Sequence, residues 1–216
     1  MEEIFTNVFI DGDKLFTKNL TRGERVYGEK LIDFKGKELR EWNPRRSKLA
    51  AAIMKGYRDL PFKKDSKILY LGAATGTTVS HISDILENGK IFSVEISERS
   101  MRQFLNISEV RDNIYPILED ASSPHLYSGL IEQVDFIYQD VAQKHQREIL
   151  VKNSVYLKKG GTVFYCVKAR SIDSAKPPEE IFKEEIKQLE KKFDIIETID
   201  LSPYEKDHII IIATLR

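Results

Sequence analysis

Gly72 and Gly76, then Glu95, Asp120, Asp140 and Lys168, stand at the carboxyl ends of successive apolar runs, and Lys206-Asp207-His208 stand near the end of the chain. In an open α/β sheet ligands collect at the carboxyl ends of the strands, so residues this far apart in sequence can share one site. Glycine at 72 and 76 lets the backbone turn sharply and lie against a ligand where a Cβ would collide. Glu95, about twenty residues further on, stands where a ribose-binding carboxylate belongs in a nucleotide-binding unit. Lys168 and the Arg45-Arg46 pair suit a phosphate-bearing substrate, and a lysine can accept a proton where nearby positive charge depresses its pKa. Each residue also has a plainer explanation: Asp120 and Asp140 as caps of following helices, Lys168 as a lysine snorkelling from a strand end. Taken together they form a candidate site.

These residues need a scaffold, and the stretch from Lys67 to Thr78 supplies its first unit. An apolar run of strand length breaks at Gly72, and apolar residues resume at helical spacing with Val79, Ile82, Ile85 and Leu86, so the stretch reads strand, tight turn, helix. The third glycine of a dinucleotide fingerprint is absent, and no Gly-Lys-Ser/Thr follows to make a P-loop. The spacing resembles the adenosylmethionine site of Rossmann-like methyltransferases. Downstream the chain alternates: helix from 77 to 86, strand 90–95, helix 98–110, strand 114–118, a short helix near 124–130, strand 134–139, helix 143–157, strand 161–168 and helix 178–192. Two final runs, 193–201 and 208–215, have no helix between them and are expected to form an antiparallel hairpin at one edge. Regular alternation implies a parallel sheet covered on both faces.

Residues 1 to about 42 read differently, as a small N-terminal β domain. Ile4 to Ile10, the Asp11-Gly12-Asp13 turn and Lys14 to Thr17 suggest a hairpin, with further β-prone pieces at 25–27 and 30–34. Asn43-Pro44 is expected to open a helix with Leu49, Ile53 and Tyr57 on its inner face, beginning a domain that runs from 43 to 216.

Lysine plus arginine equals aspartate plus glutamate at 34 each, so the whole molecule has no net field to draw in RNA or an anionic membrane. The charge is uneven, however: from Lys35 to Lys67 eleven basic residues face four acids, an excess of seven just before the glycine loop. A solvated surface would explain it, and so would a phosphate-facing patch. The single Cys166 lies in an apolar run, which rules out disulfides within the chain and suggests a reducing compartment. With no secretory signal and no apolar run long enough for a bilayer, a cytoplasmic protein without a membrane partner is expected. No residues show metal-ligand spacing.

At several stretches the chain is similar to the fibrillarin family. They are 41–51 (EWNPRRSKLAA), 71–81 (LGAATGTTVSH), 140–143 (DVAQ), 168–173 (KARSID) and 203–208 (PYEKDH), and the resemblance covers nearly the whole chain. Thr75 stands where many members carry serine, and no Gly/Arg-rich N-terminal extension is seen, so the likeness is to the archaeal form. It implies a Rossmann-like class I methyltransferase fold, with a mostly parallel seven-stranded sheet, an antiparallel last strand and the small N-terminal β module. The implied activity is ribose 2′-O-methylation of ribosomal RNA, with transfer RNA left open as a further target. The implied partners are a box C/D guide RNA, a Nop-domain scaffold protein and a kink-turn-binding ribosomal-type protein.

The resemblance further implies an S-adenosyl-L-methionine site. Gly72, Ala73, Thr77 and Thr78 belong near its methionine part, Glu95 and Ile96 at the ribose, Asp120 and Ala121 at the adenine, and Asp140, Val141, Ala142 and Gln143 below the sulfonium. It implies a catalytic set of Lys48, Asp140, Lys168 and His208, with Lys206 and Asp207 as near alternatives to His208, and RNA contacts from Arg45, Arg46, Lys48 and Arg170. Lys168 is expected to be the base, Asp140 to orient it, and Lys48 to hold the target nucleotide. The rival activities are a stand-alone small-molecule O-methyltransferase and a protein (glutamine) methyltransferase.

Overall fold

In the computed structural model, which describes all 216 residues, the chain opens with three antiparallel hairpins. Strands β1 (Glu2–Phe5), β2 (Val8–Asp11), β3 (Lys14–Lys18), β4 (Leu31–Phe34) and β5 (Lys37–Glu41) make an antiparallel sheet of order β1-β2-β3-β5-β4. The apolar run Ile4 to Ile10, expected as one strand, is folded in two because Asn7 adopts a left-handed conformation (φ 60°), which asparagine tolerates. Lys35 and Gly36, both at positive φ, turn the β4–β5 hairpin, while 25–27 is loop. Strand β5 escaped sequence reading because Lys-Glu-Leu-Arg-Glu looks like a solvated run, yet both Leu39 and Arg40 are buried.

Asn43-Pro44 makes a turn rather than a helix: Asn43 Oδ1 accepts the Arg45 N–H at 2.9 Å, and its carbonyl accepts Arg46 N–H. Helix α1 (Lys48–Met54) begins later, with the Ser47 hydroxyl as its N-cap on Ala50 N–H. The rest alternates: β6 (Lys67–Leu71), α2 (Thr77–Ile85), β7 (Lys90–Glu95), α3 (Glu98–Ser108), β8 (Ile114–Leu118), a 3-10 segment (Pro124–Leu130), β9 (Val134–Gln139), α4 (Gln146–Asn153), β10 (Leu157–Lys168), α5 (Ala169–Ile172), α6 (Pro178–Leu189), β11 (Phe193–Asp200) and β12 (His208–Leu215). Helix α4 starts after Gln143, and α5 was not foreseen.

The seven-stranded sheet has the order β11-β12-β10-β9-β6-β7-β8, parallel from β10 to β8, with β12 antiparallel to both neighbours. This is the Rossmann-like arrangement expected. The closing hairpin inserts β12 beside β10 and leaves β11, not the last strand, at the edge. Alternating residues of β6 divide the interior: Ile68 and Tyr70 join the core shared with α1, α2 and the small sheet, whereas Leu69 and Leu71 join the core under α4 and α6. No helix is long and apolar enough to cross a membrane.

Buried charge ties the small sheet to α2. Asp84 takes Arg40 Nη1 at 2.9 Å, Arg111 Nη1 at 2.6 Å and the Thr17 hydroxyl at 2.7 Å, all three charged side chains being no more than 1% exposed. Arg40 also holds Glu29 at 2.7 Å. Burial alone would raise the Glu29 pKa, but the Arg40 guanidinium and the Val26 and Tyr27 N–H groups draw it below the usual 4.5.

Candidate active site

The carboxyl ends of β6, β7, β8, β9 and β10 enclose a cavity of about 400 Å³. Its walls come from Gly72 and Ala74 after β6, Val94, Glu95 and Ile96 at β7, Glu119 and Ala121 after β8, Asp140, Val141, Ala142 and Gln143 after β9, and Lys168. Gly72 is required here, since a Cβ on it would lie 2.8 Å from the Asp140 carbonyl oxygen, at a φ of +86° that side chains rarely adopt. Removing that Cβ lets the ends of β6 and β9 close together, and Asp140 N–H donates to Leu71 O at 2.9 Å.

Glu95 fixes the loop. Its Oε2 accepts the Ala74 N–H at 2.7 Å and its Oε1 the Ser97 N–H at 2.8 Å, which holds Ala74 in a left-handed conformation against the cavity. Ile96 follows at 57% exposure, an apolar side chain offered at the edge of the cavity. Of the other residues assigned to the cofactor, Ala73 is buried in the core, and Thr77 does not line the cavity. Thr78 is buried, its hydroxyl bonded to Ser47 Oγ at 3.1 Å, so it joins α2 to the start of α1. Asp120 turns away to bind Ser122 N–H and hydroxyl at 2.8 and 2.7 Å, and its neighbour Glu119 faces the cavity. In this structure the Asp120 carboxylate is engaged by the local turn, while Ala121, assigned with it, lines the cavity.

Asp140 lies between two lysines. Lys168 Nζ is 2.8 Å from Asp140 Oδ1 and donates to the Asp140 carbonyl at 3.0 Å; Lys48 Nζ is 3.1 Å from Oδ1 and 3.2 Å from Oδ2. The three side chains are 12–16% exposed, screened yet reachable. Burial tends to lower the Lys48 pKa, but the charge of Asp140, with Cys166 and Glu205 further off, overcomes it and raises the pKa above 10.5. Clustered cations therefore do not depress Lys48, because a carboxylate separates them. Burial, then Asp140, push the Cys166 thiol up to about 12, which keeps it an inert packing group.

Gln146 was not foreseen from sequence. Its Nε2 donates to Lys168 O at 3.2 Å and its Oε1 accepts Lys168 N–H at 3.1 Å, so it clamps the end of β10 that carries the lysine. The only signal was a polar residue on the inner face of α4. His208 pairs opposite Lys168 in the β10–β12 ladder, but its Nδ1 faces the Lys206 carbonyl at 2.6 Å and makes no bond to the Lys48–Asp140–Lys168 set. Asp207 is likewise engaged, at 2.9 Å from Arg170 Nε.

Comparison with known proteins bears directly on this arrangement. A family model described as Fibrillarin matches residues 1–216. The chain belongs to the fibrillarin family. A fibrillarin-like rRNA/tRNA 2′-O-methyltransferase of Methanopyrus kandleri is 50% identical over 216 residues, covering 98% of this chain and 93% of the relative. Among solved structures, Aeropyrum pernix fibrillarin in complex with natively bound S-adenosyl-L-methionine matches with a TM-score of 0.86 at 47% identity, over 93% of this chain and 88% of that one. A chain of a fibrillarin/Nop5p complex matches at 0.93 and 48% identity, over the full length of both.

In this fibrillarin-family chain the basic residues assigned to RNA flank Lys48. Arg45 reaches the Pro203 carbonyl at 3.4 Å and lies over the Tyr204 ring, whereas Arg46 lies over the Tyr27 ring at 5.5 Å with no acid partner. Arg170 is partly neutralised by Asp207.

Proposed function

We propose that this chain methylates ribose 2′-hydroxyls of ribosomal RNA, and of transfer RNA, with S-adenosyl-L-methionine as methyl donor. The observation that carries this reading is one carboxylate, Asp140, holding two lysines at the wall of a nucleotide-sized cavity. The cavity residues suit the donor: Glu95, Glu119 and Asp140 for a cation bearing an amine and ribose hydroxyls, Ile96, Ala121 and Val141 for a flat apolar base, and no cluster of donors that a pyrophosphate would require. When bound, that cofactor supplies an electrophilic methyl group.

The chain's own residues then align and deprotonate the acceptor. A 2′-hydroxyl held over Lys168 loses its proton as the new bond forms, to Nζ in the neutral amine form that Lys168 takes once its ammonium has given a proton to solvent. Asp140 orients that nitrogen through Oδ1 and through its own carbonyl. Lys48, kept charged by Asp140, holds the phosphate beside the target ribose, and Arg45 and Arg46 extend that contact. Because net charge is zero and basic groups are local, RNA affinity must be borrowed. A base-paired box C/D guide RNA, a Nop-domain scaffold and a kink-turn-binding protein would supply it, in the cytoplasm of an archaeal cell.

The test is methyl transfer from labelled cofactor to a guide-paired target, with the protein alone, with the scaffold and kink-turn proteins added, and with Lys168→Ala or Asp140→Ala. Label at a single ribose only in the full mixture, lost in both variants, supports the reading. Label on a small molecule or a protein instead of RNA would overturn it.

A further inference from the structure

We propose that a groove between the 24–27 loop and α3 is a phosphodiester subsite for the RNA strand flanking the target nucleotide, with Arg25 and Arg46 as its cationic walls; this deepens the RNA reading above and rests on it. The groove has a volume of about 430 Å³ and is lined by Arg25, Arg46, Thr75, Gln103 and Asn106 over an apolar floor of Ile107 and Val110.

Neither of its cations makes an ion pair, Arg25 acting on Glu38 only through longer-range charge, which sets them apart from much of the molecule. Arg40 and Arg111 are spent on Asp84, Arg147 on Glu185, Arg170 on Asp207 and Arg216 on Asp194. Arg111 borders the groove but brings no free charge to it. The Arg25 and Arg46 side chains are exposed, and their guanidinium groups make no ion pair or hydrogen bond within the chain. Glu38, the nearby carboxylate that could have taken Arg25, is held by Gly23 N–H and the Asn19 amide, each at 2.7 Å. Glu24 is the one acid of the lining, so the groove keeps a positive balance. Arg46 Cζ lies 5.5 Å from the Tyr27 ring centroid, a cation–π contact that leaves the guanidinium N–H groups to grip a phosphate.

Neutral donors complete the lining. Gln103 and Asn106, three apart on α3, share a face, and their amides, like the Thr75 hydroxyl, make no hydrogen bond within the chain. Such groups contact phosphate and sugar without reading sequence, as required where a guide chooses the target. Position ties the groove to the reaction. Thr75 follows Ala74, a wall of the cofactor cavity, and Arg46 precedes Lys48 by two residues. A strand with its ribose at Lys168 and Lys48 has this groove as its continuation beyond the glycine loop.

The experiment is target-RNA kinetics across a salt series in the full guided particle, comparing wild type, Arg25→Ala and Arg25→Lys, with cofactor Kd measured in parallel. Arg25→Ala should raise the target KM about tenfold, as expected for one charge-assisted phosphate contact, and flatten the salt dependence by roughly one phosphate. It should leave kcat and cofactor Kd unchanged, and Arg25→Lys should restore the salt dependence. Wild-type KM and salt dependence in an Arg25→Ala particle that still methylates would overturn the groove assignment alone. So would an unchanged KM with loosened particle assembly, which would make the groove a seat for an acidic protein surface. If the wild-type particle places no label on RNA, the RNA reading fails and the groove assignment with it.

Discussion

Of the four carboxylates that each bridge a pair of cations, Glu87 and Glu132 lie at the surface, while Asp84 and Asp140 do opposite things. Asp84 bridges Arg40 and Arg111 where the small sheet meets α2, and Asp140 bridges Lys48 and Lys168 at the cavity. The first set is sealed, and its oxygens also take Thr17 and the Leu20 N–H. The second is reached from solvent, and its cations are lysines, which can release a proton where arginines cannot. A sealed, saturated set of arginines fixes geometry, whereas a half-open set of lysines leaves donors and a proton acceptor for a substrate.

The sharpest way to break that contrast is to truncate one member of each set. Lys168→Ala should cost roughly 10²–10⁴ in methyl-transfer rate, the range for loss of a positioned base, while denaturation shows it still folded. Asp84→Ala should do the reverse: it strands two buried guanidinium groups and should cost about 3–5 kcal/mol of stability, read as a lowered denaturant midpoint. If Asp84→Ala folds as well as wild type but loses activity, the division between the two sets is wrong.

A smaller effect sharpens the geometry of the open set. Gly72→Ala drives a Cβ into the Asp140 carbonyl at a left-handed φ, a strain of order 1–3 kcal/mol. Cofactor Kd measured by calorimetry should weaken correspondingly, and an unchanged Kd would show that Asp140 is not held by this contact.

The smallest effect belongs to the sealed side. His81 contacts Thr17 at 2.7 Å and Tyr27 at 2.8 Å, and burial, with Arg40 and Arg111 nearby, pushes its pKa well below 6.5. The unfolded chain therefore takes up a proton below pH 6.5 that the folded chain refuses, so stability should fall as pH drops, by up to about 1.4 kcal/mol per pH unit. Denaturation midpoints between pH 5 and 7 should show that slope in wild type and a shallower one in His81→Gln. The Glu29 contribution, present above about pH 4.5 and lost below it, lies outside that window.

The open set was largely legible from sequence. Lys168 and Asp140 were found by reading strand ends, Lys48 through motif likeness, and the Gly72 turn and Glu95 through spacing. The sealed set was not: Arg40 lies in a run that reads as solvated, and Asp84 and Arg111 look like ordinary helix and loop charges. Glu119 was not read as a wall of the cavity, because a turn two residues long, closed by Asp120 on Ser122, decides how the carboxylates after β8 face. The start of α1 slipped from Asn43-Pro44 to Ser47 for a similar reason, the Asn43 side chain closing a turn first.

By itself, then, the sequence determined what depends on neighbours along the chain: the alternation of strand and helix, the glycine turn, the antiparallel ending and the residue types at strand ends. Only the tertiary structure decided which charges are buried, which carboxylate each cation meets, and that Lys48, brought in by α1, reaches Asp140 across 92 positions of sequence. Periodicity and turn chemistry are local, whereas the environment of a charge is set by elements that meet only when the sheet is assembled.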